Sequence, residues 1–371
     1  MADMFEYLKW RGDISFDQMG INDVDALILA TIAYVEFDGL VADDLRTKAP
    51  LSIVVKTLLA MPDAQSRVRV PQDLDLLRAV AETDRFDRVG ITYYRSVFIP
   101  EEETQFAAMT FLLEDGSSIL TFRGTDNTLV GWKEDFNMAF QDSIPAQRLA
   151  CEYVRQYADA YDGSLYLCGH SKGGNLSVYA ATKSNMHIQA RICAVYNFDG
   201  PGFMDAMMQD PGYQRCINKI KTFLPQSSVF GMMLEHEEPF AVIRSKSVGI
   251  LQHEPYSWEV MGKSFVLVDN LTAESRYLDK VLTMWLAGLS VKERNEFIDA
   301  IFDLFMLNDA KRPLDIIRPQ HLHALIKTIQ MDDERRNLIG SGIRSLLESV
   351  RQAHDETNDD ALQLNDRVFQ Q

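Results

Sequence analysis

The sequence predicts an α/β fold, with a central mostly parallel sheet flanked by helices and followed by an all-helical C-terminal extension. Three observations lead there. Past Ile91 short apolar, β-branched and aromatic runs give way to runs that alternate with amphipathic helical patterns, the order that builds layered α/β sheets. One run, Leu165 to Cys168, feeds Gly169-His170-Ser171-Lys172-Gly173 and then a helical pattern, so G-x-S-x-G sits at a strand–turn–helix junction. From Leu271 onward only helical periodicity remains.

In chain order, Asn22 caps a helix expected to run to Phe37, with Val24, Leu27, Ile28, Ala30 and Ile32 on its apolar face. Residues 41–90 mix short helical patterns with Pro62 and Pro71 and fit either a cap or lid, or a connecting segment. Ile91 to Ile99, Gln105 to Leu113 and Ser118 to Phe122 read as strands, the last two joined by the tight-turn signal Glu114-Asp115-Gly116. Ile144 to Tyr161 is helical, as is Asn175 to Thr182. Arg191 to Phe198, Ile220 to Leu224 and Phe240 to Arg244 read as strands. Ser290 and Glu293 form a capping box ahead of Phe297, Ile298, Ile301, Phe302 and Phe305, and Leu322 to Ile329 and Leu338 to Val350 are further amphipathic segments. The expected organisation is a main domain over 1–270, a helical extension over 271–354 packed on it, and a polar, acidic, disordered tail over 355–371.

The 371 residues carry a net charge of -17 and are 46% hydrophobic. That acidity argues against nucleic acid or an anionic membrane surface as the main partner. The longest apolar run near the N-terminus, Ala26 to Val35, is too short to span a bilayer, and the acidic start MADMFEYLKWRGD does not read as a signal peptide. Cys151, Cys168, Cys193 and Cys216 lack C-x-x-C spacing, so reduced, buried thiols in a cytoplasmic protein are expected. No cluster of metal ligands stands out, and no metal or cofactor is expected.

A sharp strand-to-helix turn lifts the Ser171 hydroxyl above the strand end and aims the first N–H groups of the helix at whatever it attacks. Side chains at Gly169 or Gly173 would collide with the neighbouring backbone. A nucleophilic serine needs a base, and the base an orienting acid. Of the seven histidines, His170 adjoins the serine and reads as structural, His187 follows its helix too closely, and His321, His323 and His354 lie in the helical tail. His253, in a loop after the last expected strand, is favoured over His236. Asp199 opens Asp199-Gly200-Pro201-Gly202-Phe203 at the carboxyl edge of the sheet, where ligands gather, and Glu235 competes with it for the acid's role. The backbone N–H of Lys172 and the Thr125 N–H or hydroxyl, in Phe122-Arg123-Gly124-Thr125, are the candidate oxyanion donors.

These segments resemble class 3 lipases. Those enzymes carry F-R-G-[ST] followed by W-x-x-D, here Phe122 to Thr125 and Trp132-Lys133-Glu134-Asp135. Their G-H-S-x-G-G elbow is similar to Gly169 to Gly174, and their late histidine to His253 ahead of Tyr256. More narrowly, Leu8-Lys9-Trp10-Arg11-Gly12-Asp13, Asp199 to Phe203, Pro225-Gln226-Ser227-Ser228 and Gln252-His253 resemble the Mbeg-like family of bacterial proteins of unknown function. The resemblance implies an α/β-hydrolase fold. It also exposes two departures. Class 3 lipases take their acid from the loop where this chain has Gln226, Ser227 and Ser228, and they carry an apolar residue in place of Lys172. A lysine there opposes the helix dipole and is expected either to pair with a carboxylate or to favour an acidic substrate group.

The expected function is a serine hydrolase cleaving acyl esters of a small-molecule or lipid substrate. Ser171 is the nucleophile, His253 the base, Asp199 the orienting acid, and Thr125 and Lys172 form the oxyanion site. Phe203, Met204 and Met232, with Met207 and Met233, are candidates to line the acyl pocket. The alternatives are an inactive hydrolase-fold interaction protein, or a thioesterase or acyltransferase using the same serine.

Overall fold

A computed structural model describes residues 2–126, 128–138, 141–290, 292–294, 296, 297, 299, 300 and 333–368. The chain divides into two compact units, one of Met1–Asp126 with Val130–Leu271 and one of Asn127–Leu129 with Thr272–Gln371.

The first unit is built on an eight-stranded sheet in sequential order: β1 (Lys48–Pro50), β2 (Gly90–Ile99), β3 (Thr104–Leu112), β4 (Ser118–Phe122), β5 (Leu165–His170), β6 (Ile192–Phe198), β7 (Ile220–Pro225) and β8 (Phe240–Ile243). β1 to β4 pair antiparallel and β4 to β8 pair parallel. The β3–β4 hairpin turns at Gly116, whose φ of +82° suits a residue without a Cβ. The parallel strands are buried on both faces, as crossover connections require, and their side chains alternate between two cores. On β5, Leu165 and Leu167 enter one core and Cys168 the other. With helices on both faces of a largely parallel sheet, the unit is α/β-hydrolase-like.

One face is covered by the N-terminal segment: α1 (Met4–Arg11), α2 (Asp23–Ile32), α3 (Leu51–Leu59), α4 (Pro71–Ala81) and α5 (Asp84–Asp87). Leu51, Val55, Leu58, Leu77 and Phe86 pack in one core with Ile91, Phe111, Cys168 and Phe198 of the sheet. Residues 41–90 therefore form a wall of the fold. The cap expected at Asn22 forms, and Asp25 closes it into a capping box: Asp25 N–H donates to Asn22 Oδ1 and Asn22 N–H to Asp25 Oδ2. Asp25 is fully buried and is forked by Arg85 at 2.5 and 2.7 Å. Arg85 Nη1 and Nη2 reach the Ile14, Met19 and Gly20 carbonyls, so this buried charge pair has its donors satisfied. α2 stops at Ile32, short of the expected Phe37, because the chain turns to bring the Tyr34 hydroxyl to His170. On the opposite face lie α7 (Pro145–Ala160) and α8 (Lys172–Lys183), with α6 (Leu129–Asn137) preceding them in the chain. α8 starts three residues earlier than its apolar pattern suggests, directly after Ser171.

In the second unit the helix Ala273–Ala287 and the helix Asp333–Val368 pack together. Gly342 matters there: a Cβ would stand 2.2 Å from the Phe297 ring, which lies edge-on to Trp285, and Trp285 Nε1–H donates to the Gly342 carbonyl. The Ser290–Glu293 capping box forms, with Ser290 N–H donating to Glu293 Oε2 at 2.8 Å. The patterns at Ile298, Ile301, Phe302 and Phe305 and at Leu322 to Ile329 fall outside the described residues. The final helix continues to Val368, through most of the segment expected as a disordered tail. All four cysteines are free, and Cys193 is exposed rather than buried. Among the described residues no helix is long and apolar enough to cross a membrane.

Candidate active site

Ser171 occupies the β5–α8 turn with φ +58° and ψ −133°, a strained conformation for a side chain-bearing residue. Its N–H donates to the Phe198 carbonyl of β6 at 2.8 Å, which anchors the turn to the next strand. The glycines serve close approach. A Cβ on Gly169 would stand 2.2 Å from the Gly173 backbone, and one on Gly173 would stand 2.1 Å from the Phe122 carbonyl oxygen.

Asp199 lies immediately after β6, with φ +52° and a fully buried carboxylate. Its Oδ2 accepts from His253 Nδ1 at 2.6 Å, and its Oδ1 accepts from the Ser228 hydroxyl at 2.5 Å. His253 ends the short turn Gly249–His253 beyond β8. The loop after β7, where the lipase resemblance calls for an acid, thus supplies a hydroxyl to Asp199 instead. Glu235 is exposed and its backbone pairs with Phe203, while the His253 Nδ1 is taken by Asp199. His236 is engaged elsewhere: Nδ1 faces Glu238 Oε1 at 3.0 Å and Nε2 faces the Gly231 carbonyl at 2.6 Å. Burial opposes its protonation, but the Glu238 hydrogen bond and charge outweigh that and raise its pKa above the ordinary value. Among the described residues the Ser171 hydroxyl and His253 Nε2 make no hydrogen bond, so the bonded part of the constellation is Asp199–His253.

His170, beside Ser171, is buried and bonded at both nitrogens. Nε2 lies 2.8 Å from the His253 carbonyl and Nδ1 lies 2.9 Å from the Tyr34 hydroxyl. A carbonyl only accepts, so Nε2 carries the proton. Burial, reinforced by the nearby His253 and Arg69, holds its pKa well below the ordinary histidine value.

The Thr125 hydroxyl donates to Asp135 Oδ2, so of the two Thr125 groups expected as oxyanion donors the hydroxyl is engaged; Lys172, whose N–H is the other candidate, opens α8. Gly124 permits this loop to approach: a Cβ there would meet the His170 carbonyl at 2.6 Å. The Lys172 side chain points inward. Its Nζ donates to Gln105 O and Oε1, both at 2.9 Å, and to Glu134 Oε2 at 2.8 Å, with neither charged side chain exposed. All three ammonium donors are used, so the carboxylate-pairing alternative holds and the lysine is not aimed at substrate. Burial raises the Asp135 carboxyl to about 7 against the opposing pull of Lys172.

A cavity of about 50 Å³ opens beside Ser171, lined by Asp135, Met138, Lys172, Pro201, Phe230 and Met233. The Phe230 ring centre is 4.5 Å from that of His253. The expected acyl-pocket residues are placed differently. Phe203 is core, packed on Tyr179 and Tyr213; Met232 packs against Leu224, Val242 and Leu271; Met204 begins the short helix Asp205–Met208. Met233, from the same run of the sequence, does line the cavity. Met138 and Phe230 carried no sequence signal, because their approach to Ser171 depends on how separate crossovers fold over one sheet edge. Glu134 had one: it adjoins Asp135 in the Trp132–Asp135 segment. Among the described residues no three His, Cys, Asp or Glu side chains gather as metal ligands.

No curated protein matches the sequence. Among solved structures the crystal structure of M37 lipase is similar, with a TM-score of 0.35 and 12% identity over 56% of this chain and 69% of that one. The Mbeg1-like family model matches residues 80–303, a span that holds Ser171, Asp199 and His253, and the chain belongs to the Mbeg1-like family.

Proposed function

We propose that this protein is a serine hydrolase that cleaves carboxylic esters of short acyl groups through an acyl-enzyme. The observation that carries the reading is the Asp199–His253 hydrogen bond in the same site as a serine held at φ +58° between a strand and a helix. What supports an active site over an inactive interaction module is that His253 has an acid despite the missing aspartate after β7.

In the reaction Ser171 Oγ attacks the acyl carbonyl and its proton passes to His253 Nε2. Asp199 fixes the tautomer with the proton on Nδ1 and stabilises the imidazolium as it forms. The carbonyl oxygen gains its negative charge between the N–H groups of Thr125 and Lys172. Collapse of the tetrahedral species breaks the ester bond, and the leaving alcohol takes the proton from Nε2. Water then repeats the sequence on the acyl-enzyme and releases the acid. A volume of about 50 Å³ is about a third of the ~150 Å³ that admits a benzene ring, which suits an acyl chain of roughly two to four carbons.

The test is labelling by a fluorophosphonate probe together with a p-nitrophenyl ester series. The folded wild type is expected to label and Ser171→Ala not to, with kcat/KM falling beyond the four-carbon acyl chain. A correctly folded wild type that neither labels nor hydrolyses any ester of the series refutes the reading.

A further inference from the structure

The His253 turn is held from an unexpected direction. Ahead of it Val248, Ile250 and Leu251 are exposed to 75%, 55% and 64%, while Gln252 is buried and bonded to the Ser227 N–H, the Ser247 carbonyl and the Trp258 indole N–H. The residues on and just after His253 are tied to the N-terminal segment. Arg69 forks Glu254 with Nη1 to Oε2 at 2.8 Å and Nη2 to Oε1 at 2.6 Å, across 185 positions of sequence. The Tyr256 hydroxyl donates to Asp73 Oδ1 at 2.6 Å, while Asp73 Oδ2 accepts the N–H groups of Arg69 and Val70 at the start of α4.

The same guanidinium has a second route to the histidine. It lies 4.8 Å above the centre of the Tyr34 ring. Tyr34 donates its hydroxyl to His170 Nδ1, and His170 donates Nε2–H to the carbonyl of His253 itself. Because a carbonyl can only accept, this relay has one arrangement of protons. Arg69 therefore touches His253 through the residue that follows it and through its own backbone oxygen. The side chain is suited to both contacts, since a planar fork matches a carboxylate and a flat cation stacks on an aromatic face.

We propose that Arg69 is a positioning residue for the reaction, clamping His253 through Glu254 and through the Tyr34–His170 relay, and that the N-terminal segment is thereby part of the catalytic apparatus. This rests on the serine hydrolase reading. A misplacement of the base by about 1 Å is enough to cost roughly a hundredfold in rate.

The experiment compares Arg69→Met, Arg69→Lys and Arg67→Met in the full chain. Arg67 is a control from the same segment: its guanidinium bonds Asp63 and the Glu36 and Asp38 carbonyls rather than Glu254, and it does not stack on Tyr34. Two readouts are taken, fluorophosphonate inactivation split into affinity and maximal rate, and amide hydrogen exchange over residues 249–258. Arg69→Met is expected to lower the maximal inactivation rate ~10- to 100-fold with probe affinity unchanged, and to speed exchange in 249–258 without changing that of β5 and β6. Arg69→Lys keeps the charge but not the fork, and is expected to recover little. Should Arg69→Met fold poorly, Arg69→Lys carries the comparison. His170→Gln, which retains a donor for the His253 carbonyl, is expected to exceed His170→Phe in inactivation rate. Arg67→Met is expected to leave rate and loop exchange at wild-type levels whatever it does to melting. Unchanged loop exchange in the Arg69 variants, or an equal loss of rate in Arg67→Met, overturns the proposal. If the wild type itself does not react with the probe, the hydrolase reading fails while loop exchange still decides whether the clamp exists.

Discussion

Replacing Lys172 by Met separates a structural lysine from a substrate-binding one. In the structure the Lys172 ammonium is wholly enclosed and donates to three oxygens at 2.8 to 2.9 Å, one of them on the equally enclosed Glu134. Met fills most of the volume, so the cost is electrostatic: Glu134 is left as a buried charge without its partner. Removing one member of a buried pair costs about 3–5 kcal/mol. Here the carboxylate keeps two backbone donors, Ala146 N–H at 3.0 Å and Gln105 N–H at 3.2 Å. That places the expected loss near the lower end, about 3 kcal/mol. For a unit of this size such a loss lowers Tm by roughly 6–10 °C. Neutralising the orphan in Lys172→Met/Glu134→Gln is expected to recover part of it, with a coupling of about 1 kcal/mol or more. Thermal unfolding of the full chain measures both. A Lys172→Met protein melting within about 1 °C of wild type refutes the reasoning and returns the lysine to the substrate side.

Two further outcomes follow from the site. Asp199→Asn presents an amide where His253 Nδ1–H needs an acceptor, so the wrong tautomer is favoured; fluorophosphonate labelling is expected to slow by about 10³–10⁴-fold, and wild-type labelling would exclude Asp199 as the orienting acid. Asp135 gives a pH signature. Burial raises its folded-state carboxyl to about 7, above the ordinary value of ~3.9, so between those values the folded chain holds a proton that the unfolded chain releases. Its contribution to stability is full below pH ~4 and is lost as pH rises through 7. Asp135→Asn, which still accepts from Thr125, removes this dependence. The urea midpoint of the variant relative to wild type is therefore expected to climb from pH 5 to pH 8, and a constant difference would refute it.

The strands were legible because burial on both faces leaves a simple mark, short apolar runs bounded by turns, and β3 through β7 appear within a few residues of the segments read from the sequence. Helix ends were less legible. α2 stops early because Tyr34 is drawn to His170, a contact 136 positions away that no local pattern records. The Gly169–Gly173 turn was legible for a local reason: two glycines flanking a serine at a strand end are what a φ of +58° and the close approach of Phe122 demand.

What the sequence by itself determined is therefore the chemistry carried by neighbours in the chain: the α/β class, the serine turn, the helix cap at Asn22 and the capping box at Ser290. Only the tertiary structure decided which acid meets His253, where the Lys172 charge goes, which side chains wall the cavity, and that Arg69 reaches the histidine loop. Periodicity and turn chemistry act over a few residues and leave a mark in composition. A hydrogen bond or ion pair between distant segments is set by strand order and crossover packing, so Glu235 competes with the favoured Asp199 in the sequence until the fold bonds Asp199 to His253 and leaves Glu235 exposed.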